Sequence, residues 1–136
     1  KTALGFLGKE ESAAQAARTL ARHLQRQGGI ADRLIADLFR EGRLGFAVAS
    51  LAARANVPAP LIWVMFSDPD AARLTILLKA IDMDRTAALG LIADLLVARG
   101  GHGSEGDGRL SDAVEVFDTL THDEAGLLIR PWQAPL

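Results

Sequence analysis

The stretch LGFAVASLAARANVPAPLIWVMF, Leu44 to Phe66, decides the fold. Its first half, Leu44 to Ala55, places alanines at 47, 49, 52 and 53, small enough to let one helix approach another closely, and it ends at Asn56 ahead of Pro58. Its second half, Pro58 to Phe66, is apolar nearly all round (Leu61, Ile62, Trp63, Val64, Met65, Phe66). In a soluble domain such a segment is expected to be a short helix enclosed by its neighbours, at the centre of the core.

The rest of the composition agrees. Of 136 residues 24 are Ala and 21 Leu, there is no Tyr and only two Trp, and the β-branched and aromatic residues that sheets prefer are few. One all-helical domain spanning 1–136 is therefore expected. The absence of Cys removes disulfides, thiolate nucleophiles and cysteine-type metal sites. The longest apolar run, Val57 to Phe66, is too short to span a membrane and no signal sequence opens the chain, so a cytoplasmic protein is expected. The first residue is Lys1 rather than Met, which leaves room for a longer chain upstream.

Working outward, Lys9 to Gln27 reads as a long helix with Ala13, Ala16, Ala17, Leu20, Ala21 and Leu24 at three- and four-residue steps, stopped by Gly28 and Gly29. A second helix runs from about Ile30 to Glu41, with Ile30, Leu34, Ile35, Leu38 and Phe39 on its apolar face and Gly42 at its stop. Ser67, Asp68 and Pro69 supply a cap and first turn for a fifth helix carrying Leu74, Leu77, Leu78 and Ile81. Asp82 and Asp84 bracket a turn before a sixth helix, Arg85 to Arg99. GGHGSEGDG, Gly100 to Gly108, has five glycines in nine residues and reads as a flexible connector, within 100–110. Beyond it lie a helix from about Ser111 to Leu120 and another opened by the capping box Thr121 to Glu124, then a loose tail, 131–136, anchored by Trp132.

The total is seven or eight helices in a compact bundle or short superhelix of stacked helical hairpins. Internal similarity points the same way: Leu34 to Leu38 recurs verbatim as Leu91 to Leu95, and a shift of 26 residues lays Leu51 on Leu77, Ala55 on Ile81 and Phe66 on Ile92. The expected core is Phe39, Phe46, Leu51, Leu61, Ile62, Trp63, Phe66, Leu74, Leu77, Leu78, Leu89, Ile92 and Leu95.

Motifs that would carry chemistry are weak. Ala52, Asn56 and Ile62 have the spacing of a helix-turn-helix, which makes a derived transcriptional regulator an alternative function, but the second helix offers Ala59, Leu61, Trp63, Val64 and Met65 to base edges. His23, between Arg22 and Arg26, has the company of a phosphorelay histidine, which makes a phosphotransfer protein a further alternative; an ordinary solvated histidine accounts for it as well. His102 lies in the glycine-rich segment beside Glu105 and Asp107, and His122 inside the capping box. The pairs Asp68/Asp70, Asp82/Asp84 and Asp123/Glu124 stand at expected helix starts, where negative charge meets the helix dipole. No phosphate-binding loop, dinucleotide fingerprint, zinc-protease or nucleophile-elbow motif occurs, and neither catalytic residue, cofactor nor metal is expected.

From Asp32-Arg33-Leu34-Ile35 through Gly42 to Ala52 and on to Leu77-Leu78-Lys79-Ala80-Ile81-Asp82-Met83, the chain resembles a bacterial family known as domain of unknown function 2336, over roughly residues 10–100. The resemblance implies an all-helical fold of stacked hairpins and supplies no catalytic residues.

Charge is unevenly spread: residues 1–54 carry nine basic and five acidic residues, residues 99–136 three and seven. Twelve of the fifteen basic residues are Arg, dispersed rather than gathered into a nucleic-acid patch. The leading expectation is a non-enzymatic protein-interaction or regulatory module, with a protein partner meeting the face that bears Arg18, Arg22, Arg26, Arg33 and Arg40.

Overall fold

A computed structural model describes residues 2–68, 70–98 and 103–134, with side chains described for 15–68, 70–98 and 108–134. Among these residues the chain forms eight α-helices and no strand. They are α1 (Thr2–Gly28), α2 (Asp32–Arg40), α3 (Leu44–Ala55), α4 (Ala59–Ser67), α5 (Ala72–Ala80), α6 (Arg85–Ala98), α7 (Gly103–Thr119) and α8 (His122–Ile129), followed by a 3-10 turn over Arg130–Trp132.

Three helices end in the same way, and this sets the hairpins. At the ends of α2, α3 and α5, residues Gly42, Asn56 and Asp82 take left-handed backbone angles (φ of 78°, 58° and 58°). In each case the next amide donates back to a carbonyl five residues earlier: Arg43 to Leu38 at 2.9 Å, Val57 to Ala52 at 3.1 Å, and Met83 to Leu78 at 3.1 Å. This closes otherwise unsatisfied carbonyls and reverses the chain sharply. Asn56 and Asp82 stand 26 residues apart, and the apolar residue after each, Val57 and Met83, is buried.

The packing then follows the apolar faces. α1 lies along α3, α2 sits against both α3 and α6, α5 packs on α7 and α8, and α6 on α7, while the short α4 bridges α3 and α5. Ile35, Leu51, Ile62, Met65, Leu74, Leu77, Leu78 and Ile92 are at most 1 % exposed. The alanines of α3 supply the close approach: Ala47, Ala49 and Ala55 are buried. Thr75, fully buried in α5, satisfies its hydroxyl by donating to the Ala71 carbonyl at 2.7 Å.

Several expectations require correction. α4 is enclosed on one side only: Ile62, Met65 and Phe66 are buried, Phe66 meeting Phe39 edge-on at 5.6 Å, but Trp63 and Val64 are 43 % and 51 % exposed. A nine-residue helix lying across two others has an outer face whatever its side chains. Leu34 is likewise exposed, and Phe46, Leu61 and Leu89 are half-buried at the margin of the core. α5 starts at Ala72 rather than at Ser67 to Pro69, because the Asp68 and Asp70 carboxylates accept the amides of Asp70 and Ala72 in consecutive side-chain turns that hold the backbone out of the helix. Pro69 lies outside the described residues.

The glycine-rich connector is the largest departure. From Gly103 onward its residues are the first turns of α7, although each glycine disfavours helix by about 1 kcal/mol relative to Ala. Ala113 and Phe117 anchor the later turns in the core, and once a helix is nucleated each further residue adds one hydrogen bond. Residues 99–102, His102 among them, lie outside the described residues. The described part of the terminal segment, up to Ala134, is tied down: Gln133 Nε2 donates to the Ala55 carbonyl and the Ala134 amide to the Asn56 carbonyl, both at 2.9 Å, fastening these residues to the end of α3.

Candidate partner-binding groove

The described arginines from Arg18 to Arg85 fall into two groups. Every one from Arg33 to Arg85 meets a carboxylate: Arg33 and Arg40 flank Asp37 at 3.9 and 3.4 Å, Arg43 meets Glu41 at 3.5 Å, Arg54 meets Asp32, Arg73 meets Asp68 at 2.7 Å and Arg85 meets Asp118 at 2.9 Å. In contrast, Arg18, Arg22 and Arg26 pair with no carboxylate among the described residues. They are exposed at four-residue steps along α1, each about 6 Å further up the helix, so they form one row.

Two of the three border a groove. Arg18 and Arg22 line an open concavity of about 310 Å³ together with Ala49, Ala52 and Ala53 of α3, the Asn56 to Ala59 turn, and Ala134. The floor is small and apolar because α3 turns its alanines toward α1. The rim is cationic, with guanidiniums free to form planar paired bonds to carboxylates. Arg26 is exposed in the last turn of α1. Arg33 and Arg40 stand on α2, where they share Asp37. The five expected partner-binding arginines are thus divided between a row on α1 that meets no carboxylate among the described residues and a pair on α2 that shares one.

Arg54 was not singled out by sequence reasoning, yet it holds three segments together. Its Nη1 donates to the Ile30 carbonyl at 3.0 Å and pairs with Asp32, and its Nη2 donates to the Ile81 carbonyl at 2.8 Å. The other Asp32 oxygen accepts the Asp84 amide at 2.8 Å. Nothing in local spacing could reveal it, because its partners lie 22 to 27 residues away on either side.

The other sequence candidates are accounted for locally. Asp84 accepts the amides of Thr86 and Ala87 and caps α6, whereas Asp82 is the left-handed end of α5 rather than a helix start. Thr121 and Glu124 form the capping box in both directions, at 3.0 and 3.1 Å. The Thr121 amide donating to the Glu124 carboxylate holds that group below the ordinary carboxylate range. The Asp118 carboxylate is held low by hydrogen bonds from Arg85, whose Nε and Nη2 reach its two oxygens at 2.9 and 3.0 Å. His23 is exposed beside Gln15, Ala16, Thr19 and Leu20, and His122 stands 3.7 Å from the exposed Asp123. Among the described residues no three His, Cys, Asp or Glu side chains gather as a metal site.

The helix-turn-helix spacing corresponds to a real bend: α3 and α4 meet at 118°. Yet the outer face of α4 presents Pro60, Trp63, Val64 and Ser67, the last of which donates its hydroxyl to the Trp63 carbonyl. No basic side chain stands there to meet phosphate or bases. No single described helix is long and apolar enough to cross a membrane.

The model of one protein family, described as an uncharacterised protein conserved in bacteria (DUF2336), matches residues 3–130. No curated protein and no solved structure matches the chain.

Proposed function

Taking as premise that the chain belongs to this bacterial family, we propose that it is a non-enzymatic protein-interaction module whose docking surface is the groove between α1 and the α3–α4 turn. One observation carries this: Arg18 and Arg22 meet no carboxylate among the described residues at the rim of an apolar groove, while every arginine from Arg33 to Arg85 meets one within the fold. Arginine beside a small apolar depression is the composition of an interface centre, where planar bonds fix the partner's carboxylates and the alanine floor receives its apolar side chains. The occupant is therefore an acidic protein segment with small apolar residues between its carboxylates.

The alternatives have less support. A DNA reader needs donors on the exposed face of α4, where the Ser67 hydroxyl already donates to the Trp63 carbonyl and Pro60 and Val64 offer none to base edges. Phosphotransfer through His23 has the exposure it requires, but the hollow it lines with Gln15, Ala16, Thr19 and Leu20 holds no acid-base partner.

Affinity capture from a bacterial extract, comparing the wild-type chain with Arg18→Glu/Arg22→Glu, tests the proposal. Retention of an acidic protein by the wild type and its loss with the charge reversal is the expected result. A set of captured proteins that is identical for both chains overturns it.

A further inference from the structure

We propose that the acidic segment docking in the Arg18/Arg22 groove is supplied by a second copy of this chain, so that copies associate head to tail; this rests on the docking role of that groove. The chain carries both halves of a complementary pair. Its first 54 residues hold nine basic and five acidic side chains, and residues 99–136 hold three and seven. On α7, Asp112 and Glu115 are exposed and have no hydrogen-bond or ion-pair partner among the described residues. Spaced three residues apart, they share one face of the helix.

Glu115 also lines a second groove, of about 360 Å³, with Val116, Thr119, Leu120 and Glu124. It has the character of the first with the sign reversed: a small apolar floor with carboxylates at its edge. The two lie on different parts of the bundle, since α1 packs on α3, whereas α7 packs on α5 and α6. One copy's α1 row therefore meets another copy's α7 without displacing either copy's own contacts. Such a contact is heterologous, joining two different surfaces, and leaves a free groove at each end for further copies. A formal net charge of −2 over 136 residues sets little overall repulsion against it. The pairing is one between exposed charges, so the association is weak and sensitive to salt.

Sedimentation velocity of the whole chain over a concentration series provides the test, at about 0.01 M and about 1 M salt, where screening lengths are about 30 Å and about 3 Å. The wild type is expected to form species larger than monomer at low salt and to revert to monomer at high salt. Arg18→Glu/Arg22→Glu and Asp112→Arg/Glu115→Arg are each expected to weaken association about tenfold or more, equivalent to about 1.4 kcal/mol. An equimolar mixture of the two variants is expected to associate again, because each then offers the charge the other needs; that recovery also shows that both are folded. A wild type that stays monomeric at low salt overturns the inference, as does association that neither reversal weakens. If it is monomeric yet captures an acidic protein in an Arg18/Arg22-dependent way, the self-association fails and the docking role stands.

Discussion

Replacing Arg54 by Met retains most of the aliphatic stem and removes the guanidinium that ties the α1–α2 link, the start of α2 and the end of α5 together. Two carbonyls, of Ile30 and Ile81, lose a donor at 3.0 and 2.8 Å, and Asp32 loses its ion pair. The side chains of Arg54 and Asp32 are 15 % and 28 % exposed, so water recovers only part of the loss. At about 1 kcal/mol for each of the three interactions, the expected destabilisation is about 3 kcal/mol. It falls short of the cost of breaking a fully buried pair because Asp32 keeps the Asp84 amide and some solvent. Urea unfolding followed by circular dichroism measures this directly: with a slope of about 1.5–2 kcal/mol per molar urea, the midpoint drops by about 1.5–2 M. A double-mutant cycle with Asp32→Asn is expected to show coupling of about 1 kcal/mol or more. A loss below about 1 kcal/mol for Arg54→Met, or strictly additive effects in the cycle, would refute the assignment of Arg54 as the tie.

Two further outcomes are expected. Leu77→Ala, at a fully buried position in α5, costs about 3 kcal/mol in thermal unfolding, and a loss under about 1 kcal/mol would place Leu77 outside the core. The Asp118 carboxylate, held low by Arg85 in the folded chain, contributes stability that is fully present above the ordinary carboxylate range and is lost as pH falls through its lowered folded value. Asp118→Asn is therefore less stable than the wild type near neutral pH and converges with it in acid; a difference independent of pH would contradict the Arg85 pairing.

Much of the architecture was legible in local pattern. The apolar spacing and alanine content of Leu44 to Ala55 define α3 to the residue, and the capping box at Thr121 to Glu124 opens α8 as expected. The departures have physical reasons. In the Gly103 to Gly108 segment, local backbone preference was overruled by the helix anchored beyond it. At Trp63 and Val64, hydrophobicity says that a side chain favours burial without saying whether a neighbour will cover it. Arg18 and Arg22 were named among five arginines on equal terms, and only the packing of α1 on α3 distinguished them from Arg33 and Arg40.

What the sequence by itself determined is the helical class and most of the helix ends, because capping, glycine and proline signals and three- or four-residue periodicity act within one or two turns. What only the tertiary structure decided is which charges are neutralised. Arg54 reaches Asp32 and Ile81, and Arg85 reaches Asp118, 33 residues away, because separate helices bring them together. Arg18 and Arg22 meet no carboxylate among the described residues, and the surface that α3 turns toward them is alanine. Pairing depends on distance in space, which the linear order of residues does not contain until the helices have packed.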